Sequence, residues 1–219
     1  MSRAGYAWSS LPDDERLAAL RALDDAGLSV LSVSRHGADE DSNAAIMHLR
    51  TESARLAETF ARGGKWKQLQ LRWVCVLQTG GVENRASLER YMDWAASTGV
   101  REICFKELYV STSTESVYHD RKSNEWSAAH QVPLRLILDF AREHGWREVS
   151  QLPWGAPLFE GEWRGRPMRI AAYTEPSLYW ERVNGLCRSW NLMADGTTYA
   201  SLEDKHSVVF SRSKPLRSA

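Results

Sequence analysis

Residues 69–110 read LQLRWVCVLQTGGVENRASLERYMDWAASTGVREICFKELYV, and this stretch decides the fold. Leu71, Trp73, Cys75 and Leu77 alternate with Arg72, Val74, Val76 and Gln78, and most of both sets is apolar. A run apolar on both faces suits a strand covered on both sides, as in a parallel sheet. Gly80-Gly81 breaks the run, and Asn84, or Ser87 in its place, caps the helix that follows. Leu88, Tyr91, Met92 and Ala95 recur at helical spacing, with Glu89, Arg90 and Asp93 between them. Gly99 stops the helix, and a second apolar run extends from Glu102 to Val110. Strand, helix and strand within about forty residues make a βαβ unit, whose crossover is right-handed in nearly all proteins.

Upstream, Ser10-Leu11-Pro12-Asp13-Asp14-Glu15 is a helix start: a cap candidate in Ser10, an early proline, and acidic residues near the positive end of the dipole. Leu17, Leu20 and Leu23 mark its buried face and Gly27 ends it. Leu28 to Val33 is a short buried strand, with Ser34-Arg35-His36-Gly37 at its carboxyl end. Asp39 to Asn43 is a polar loop and Ala44 to Met47 a helical turn. Thr51 to Ala61 is a helix with Leu56 and Phe60 inward.

Downstream, STSTESVYHDRKSNEW, residues 111–126, is polar and rich in Ser and Thr. It reads as a long loop, of the kind that often carries function. Pro133 to His144 is a helix with Leu134, Ile137, Leu138 and Ala141 on one face, and Arg147 to Leu152 is a strand. Leu158 to Trp163 and Met168 to Tyr173 flank Arg164-Gly165-Arg166 as a hairpin. Two more short strands, near 186–193 and 197–202, are joined by the turn pair Asp195-Gly196. The four parallel strands expected near 28–34, 69–77, 102–110 and 147–152 do not close an eight-stranded barrel. The fold class is therefore α/β: an incomplete TIM-type βα barrel or an open curved parallel sheet over residues 1–152, then a C-terminal antiparallel β extension over 153–219.

Composition bounds the function. The chain has 219 residues, with 28 basic and 28 acidic side chains and a formal net charge of zero. That balance gives no electrostatic case for nucleic acid or an anionic membrane. No apolar run approaches the ~20 residues needed to cross a bilayer. The start, MSRAGYAWSSLPDDER, has no apolar signal core and turns acidic at once, so a cytoplasmic location is expected. Cys75, Cys104 and Cys187 are few, odd in number and far apart, which argues against a disulfide framework.

The order of several short stretches resembles the radical SAM superfamily. Ser32-Val33-Ser34-Arg35-His36, Asp39-Glu40 and Asn43-Ala44-Ala45-Ile46-Met47 look like the middle of such a domain. Cys75-Val76-Leu77-Gln78 with Gly80-Gly81-Val82 resembles the next strand and loop, and Phe105-Lys106-Glu107-Leu108 the strand after it. The tail Cys187-Arg188-Ser189-Trp190-Asn191-Leu192-Met193-Ala194-Asp195-Gly196 is similar to the C-terminal extension of the cyclase branch used in molybdenum-cofactor synthesis. The resemblance covers about Leu17 to Asp204. It implies S-adenosylmethionine as cofactor, reductive cleavage to a deoxyadenosyl radical, and hydrogen abstraction from a substrate that no motif identifies.

The same resemblance exposes departures. The family holds a [4Fe–4S] cluster through Cys-x3-Cys-x2-Cys and contacts the methionine amine through a Gly-Gly-Glu segment; neither occurs in this sequence. Four thiolates are the normal requirement for such a cluster, so no metal ligands are expected here. Two functions follow. In one, the chain is the substrate-side part of a radical SAM enzyme, not active alone, whose cluster-binding part either is lost or sits on a partner polypeptide. Alternatively, it is a non-catalytic binding or partner protein derived from that fold.

The candidate site residues are these. By resemblance Ser34 and Arg35 face the ribose or carboxylate of S-adenosylmethionine, with Arg72 and Gln78 also on the cofactor side; the competing reading is ordinary loop polarity. Glu107 is charged within an apolar strand, where an unpaired carboxylate is costly; it pairs with Lys106, Arg35 or Arg72, or meets a ligand. His119 and Asp120 form either an acid–base pair or part of a solvated loop.

Overall fold

The structure is a computed structural model that describes residues 11–111, 113, 114, 116, 119–187 and 189–211. Ser10 and Arg188, both singled out above, lie outside the described residues. The chain divides into two units. One runs up to Leu108 and resumes over His130–Thr174; the other holds Tyr109–Ala129 and the chain from Glu175 onward.

The first unit contains α1 (Asp13–Asp25), β1 (Val30–Ser34), α2 (Glu40–Met47), α3 (Ser53–Arg62), β2 (Gln70–Leu77), α4 (Arg85–Ser97) and β3 (Glu102–Glu107). After the excursion into the other unit, which holds most of α5 (Arg121–His130), it continues with α6 (Arg135–Glu143), β4 (Arg147–Gln151), β5 (Pro157–Trp163) and β6 (Arg166–Tyr173). The six strands form one sheet in the order β1-β2-β3-β6-β5-β4. β1, β2, β3 and β6 are mutually parallel, and β5 and β4 run antiparallel to their neighbours.

The expected βαβ unit is present, and its cap uses both candidates. Asn84 Oδ1 accepts the Ser87 N–H at 3.0 Å and Ser87 Oγ accepts the Asn84 N–H at 3.0 Å, a reciprocal capping box. At α1 the acidic first turn does more than meet the helix dipole. Asp13 draws in Arg55 at 2.8 Å and Arg62 at 2.7 Å from α3, which fixes the two helices side by side.

The core lies on one face of this sheet. Leu71, Trp73, Cys75 and Leu77 of β2 are buried there with Ile103 and Phe105 of β3 and Ile170 and Ala172 of β6. Leu20 of α1, Leu56 of α3, Leu88, Tyr91 and Met92 of α4, and Ile137 and Phe140 of α6 complete the cluster. Burying one such side chain contributes about 1.5–3 kcal/mol, so this face carries the stability of the unit. On the opposite face Arg72, Val74 and Val76 are only half-buried. The expectation of a strand apolar on both sides is corrected to that extent: these helices pack on one side.

Two further corrections concern the fourth parallel strand and the domain boundary. Residues 147–151 are antiparallel and sit at the sheet's edge, because the short 152–156 connection can only turn the chain straight back onto β5. The fourth parallel strand is β6. Arg164 and Gly165 both have positive φ, 51° and 74°, the geometry of a two-residue hairpin turn, and this returns the chain beside β3. The hairpin is thus part of the main sheet, and the first unit closes at Thr174 rather than at residue 152.

The second unit has a small antiparallel sheet of β7 (Asn191–Leu192), β8 (Thr198–Tyr199) and β9 (Val208–Phe210), preceded by α7 (Leu178–Asn184). The turn at Asp195-Gly196 is as expected, with the Thr197 N–H bound to Asp195 Oδ1 at 2.9 Å. The last six residues of the polar stretch 111–126 belong to helix α5 rather than to a loop. Asp120 starts it by accepting the Ser123 N–H at 2.7 Å, and Arg121 and Glu125 pair one turn apart at 2.8 Å. The second unit buries two carboxylates among hydroxyls. Glu203 accepts from Ser116 Oγ at 2.7 Å and Glu181 from Ser201 Oγ at 2.6 Å. Among the described residues no helix is long and apolar enough to cross a membrane.

Candidate functional site

Strand registry organises the face of the main sheet turned away from the helical core into three rows. The first row is Ser32, Arg72, Glu102, Arg169, Glu160 and Arg147, one residue from each strand. Its charges alternate. Arg72 donates to Ser32 Oγ at 2.7 Å and pairs with Glu102 at 3.1 Å; Arg169 pairs with Glu160, which also meets Arg147 at 3.5 Å. The second row is small and mostly apolar: Ser34, Val74, Cys104, Ala171 and Leu158. Cys104 and Ala171 are buried but stand outside the helical core cluster. The third row, toward the carboxyl ends of the parallel strands, is Val76, Lys106 and Tyr173. The Lys106 ammonium lies over the Tyr173 ring, 4.9 Å from its centre. Burial raises both the Cys104 thiol and the Tyr173 phenol above their ordinary pKa ranges.

β1 stops at Ser34, and His36 takes over its place in the third row. Its Nδ1 accepts the Val76 N–H at 3.0 Å, where the ladder would otherwise supply a carbonyl. That bond puts the ring proton on Nε2. The Arg35 carbonyl, diverted from the ladder, accepts the Tyr91 hydroxyl at 2.9 Å. His36 N–H in turn donates to Asn43 Oδ1 at 2.7 Å. Burial, then the neighbouring charge of Arg35, pulls the imidazole pKa down from 6.5 to about 4, so the ring is neutral at physiological pH. The loop closes tightly over the β2 end. A side chain at Gly81 would meet the His36 carbonyl and Ile46 at 2.9 Å, so glycine is required there.

The candidates from the sequence divide as follows. Ser34 is exposed, in the second row. Arg35 is buried at 2% exposure and spends its guanidinium on its own loop. It donates to the Gly37 carbonyl at 2.8 Å and the Ala38 carbonyl at 3.1 Å, pairs with Glu40, and stacks on Trp94 at 4.6 Å. Arg72 is in the first row, four residues before Val76 and so about 13 Å from the strand's carboxyl end. Gln78 is buried just after β2, where its backbone bridges to Gln131.

Glu107 pairs with none of the three cations considered for it. Its carboxylate accepts the Leu134 N–H at 3.1 Å, at the start of α6, and the Thr174 hydroxyl at 2.6 Å. The partners are helix-end and loop groups that no spacing rule pointed to. His119 and Asp120 belong to the second unit; both are exposed, and the Asp120 carboxylate caps α5.

The sequence marks His36 only as part of the tetrapeptide Ser34-Arg35-His36-Gly37. The period-2 count Ser32, Ser34, His36 was the available signal, since alternate residues share a face.

Among the described residues, no three His, Cys, Asp or Glu side chains gather as metal ligands. Cys75 faces the helical core, Cys104 the opposite face, and Cys187 is in the other unit. This donor set does not fit an iron–sulfur cluster. A cavity of about 720 Å³ lies at the far, amino-terminal end of the parallel strands, lined by Phe60, Leu69, Leu71, Val100 and Met168 among others. Ligands of open α/β sheets meet the carboxyl ends instead, where His36, Lys106 and Tyr173 converge. A comparison with known protein families and one with curated proteins found no match to this chain.

Proposed function

We propose that the chain is the substrate-side part of a radical SAM-type enzyme. In this reading the sheet is a section of an incomplete βα barrel, and the three-row face is its interior. The observation that carries it is the one-sided packing of α1, α3, α4 and α6 on the parallel strands, which leaves a lined, half-buried opposite face. A freestanding parallel sheet is ordinarily covered by helices on both faces, whereas a barrel wall carries its helices on the outer face alone.

The adenosyl cofactor would lie along the second and third rows. Val74, Val76 and Ala171 offer an apolar floor, Ser34 and His36 offer hydrogen-bonding groups at one side, and Lys106 offers a positive charge at the other. Arg35 acts by holding the loop that carries His36, rather than by touching the cofactor. Radical chemistry would come from a cluster carried by another segment or polypeptide; this chain binds and orients. A docking edge for that partner is β1. Its ladder bonds, Gln70 N–H to the Ser29 carbonyl and Arg35 N–H to the Val74 carbonyl, turn the odd-numbered residues toward β2. The N–H and C=O groups of Val30, Ser32 and Ser34 therefore face away from the sheet, ready to pair with a further strand.

Calorimetric titration of the full chain with S-adenosylmethionine tests the reading. Binding is expected with a Kd of about 0.1 mM or weaker, near −5 kcal/mol, because much of the hold comes from groups carried elsewhere. No heat of binding at millimolar ligand would overturn it.

A further inference from the structure

The cavity at the amino ends of the parallel strands, about 720 Å³ in volume, is within the size range of small-molecule sites. Three sets of contacts fix its walls. Phe60 of α3 stacks on Trp66 with ring centres 4.7 Å apart; the Trp66 indole donates to the Phe60 carbonyl at 3.1 Å, and the Arg21 guanidinium lies 4.3 Å from the centre of that indole. The chain entering β2 is pinned by buried Asp24, whose carboxylate accepts the N–H groups of Lys67, Gln68 and Leu69 at 2.8, 3.0 and 2.9 Å. The turn entering β3 is pinned by Thr98, whose hydroxyl accepts the Trp73 indole N–H at 3.1 Å and donates to the Ala95 carbonyl at 2.7 Å. Walls tied to separate anchors do not close on one another. Phe60, Leu69, Leu71, Val100 and Met168 therefore border a space in which they lack packing partners, and an apolar ligand would supply them.

The polar part of the lining carries one uncompensated charge. Glu102 is paired with Arg72 at 3.1 Å, and Glu160 with Arg169 and Arg147. The Arg101 guanidinium has no hydrogen bond or ion pair among the described residues. Its backbone is held, since the Arg101 carbonyl accepts the Arg169 N–H at 2.8 Å. An unpaired guanidinium beside a pre-formed apolar cavity suits a molecule with an apolar body and a single anionic head. A carboxylate matches the guanidinium fork with two parallel hydrogen bonds.

We propose that this cavity is a second binding site, for a free monocarboxylate whose apolar body lies against Phe60, Leu69, Leu71, Val100 and Met168 and whose carboxylate meets Arg101. The site shares no residue with the second and third rows of the sheet, so it does not depend on the cofactor reading and stands or falls separately from it.

The test titrates the full, methyl-labelled chain with octanoate and, separately, with 1-octanol, which has the same tail and no charge. Saturable methyl shifts are expected at Leu69, Leu71, Val100 and Met168, with octanoate binding about 3- to 10-fold more tightly than octanol, the effect of one charged contact at a partly exposed site. Arg101→Gln, at an exposed position, should keep the fold, weaken octanoate by that same factor and leave octanol unchanged. No saturable shifts at millimolar octanoate, or shifts confined to residues away from the cavity, would overturn the site. Octanol binding as tightly as octanoate, or an Arg101→Gln variant that holds octanoate as the wild type does, would overturn the assignment of a carboxylate ligand.

Discussion

Arg35→Met separates holding a loop from holding a ligand. Methionine keeps an unbranched stem against Trp94 and deletes the guanidinium, which sits 4.6 Å from that ring. Two backbone carbonyls lose their donors. Gly37 is buried, so its unpaired carbonyl costs about 1–2 kcal/mol, while the carbonyl of half-buried Ala38 can turn toward water at about 0.5–1 kcal/mol. Glu40 is 32% exposed and still accepts the Thr51 N–H at 3.0 Å, so losing its pair adds about 0.5–1 kcal/mol at most. The total is roughly 2–4 kcal/mol. At this chain length each kcal/mol lowers the thermal midpoint by about 2–4 °C, for a fall of roughly 5–15 °C. Urea denaturation followed by tryptophan fluorescence measures the loss directly. A loss below about 0.5 kcal/mol would refute the reasoning and return Arg35 to the role of a ligand contact.

Three other perturbations have defined outcomes. His36 has a folded pKa near 4 against 6.5 unfolded, so the unfolded chain takes the proton first. Its contribution is complete above pH 6.5 and is lost as pH falls toward 4, at most roughly 3 kcal/mol; stability measured across that window should fall in the wild type and much less in His36→Asn. Glu107→Ala strips the Leu134 N–H and the Thr174 hydroxyl of their acceptor and should cost about 1–2 kcal/mol, most of it recovered by Glu107→Gln, as read from thermal midpoints. If the free edge of β1 pairs with other chains, the wild type at ~50 µM should scatter light as a dimer or larger, and Val30→Lys should shift it toward monomer; a monomeric wild type would contradict the open edge. Val33 is unsuitable for that test, because it packs against the helical core.

The readable parts of this chain are those where one local rule acts without competition. Alternation in 71–77, the Asn84 and Ser87 cap pair, and the Asp195-Gly196 turn all appear where the residues put them. What stayed hidden depends on pairing at a distance. Nothing in Leu158 to Tyr173 says that the hairpin's second strand lies beside Cys104 rather than in an extension, because a hairpin fixes its own register and not its neighbour. Helix α5 has no apolar stripe to announce it; the Asp120 cap, the Arg121–Glu125 pair and the hydrogen bonds between Asn124 and the Ser111 backbone hold it. At the site, Ser34 and Arg35 were visible as polar residues after a strand. That Arg35 turns inward to the Gly37 and Ala38 carbonyls, Glu40 and Trp94 while His36 replaces a ladder carbonyl follows from where β1 leaves the sheet, a boundary that propensity does not resolve.

The most direct test of the central claim is a backbone and methyl NMR titration of the isotope-labelled chain with S-adenosylmethionine, which reports weak binding residue by residue. The account predicts saturable shifts centred on Ser34, His36, Val74, Val76, Lys106 and Ala171, with the residues around Phe60 and Met168 at the opposite end of the strands unaffected. No shifts at millimolar ligand, or shifts confined to that amino-terminal cavity, would contradict it.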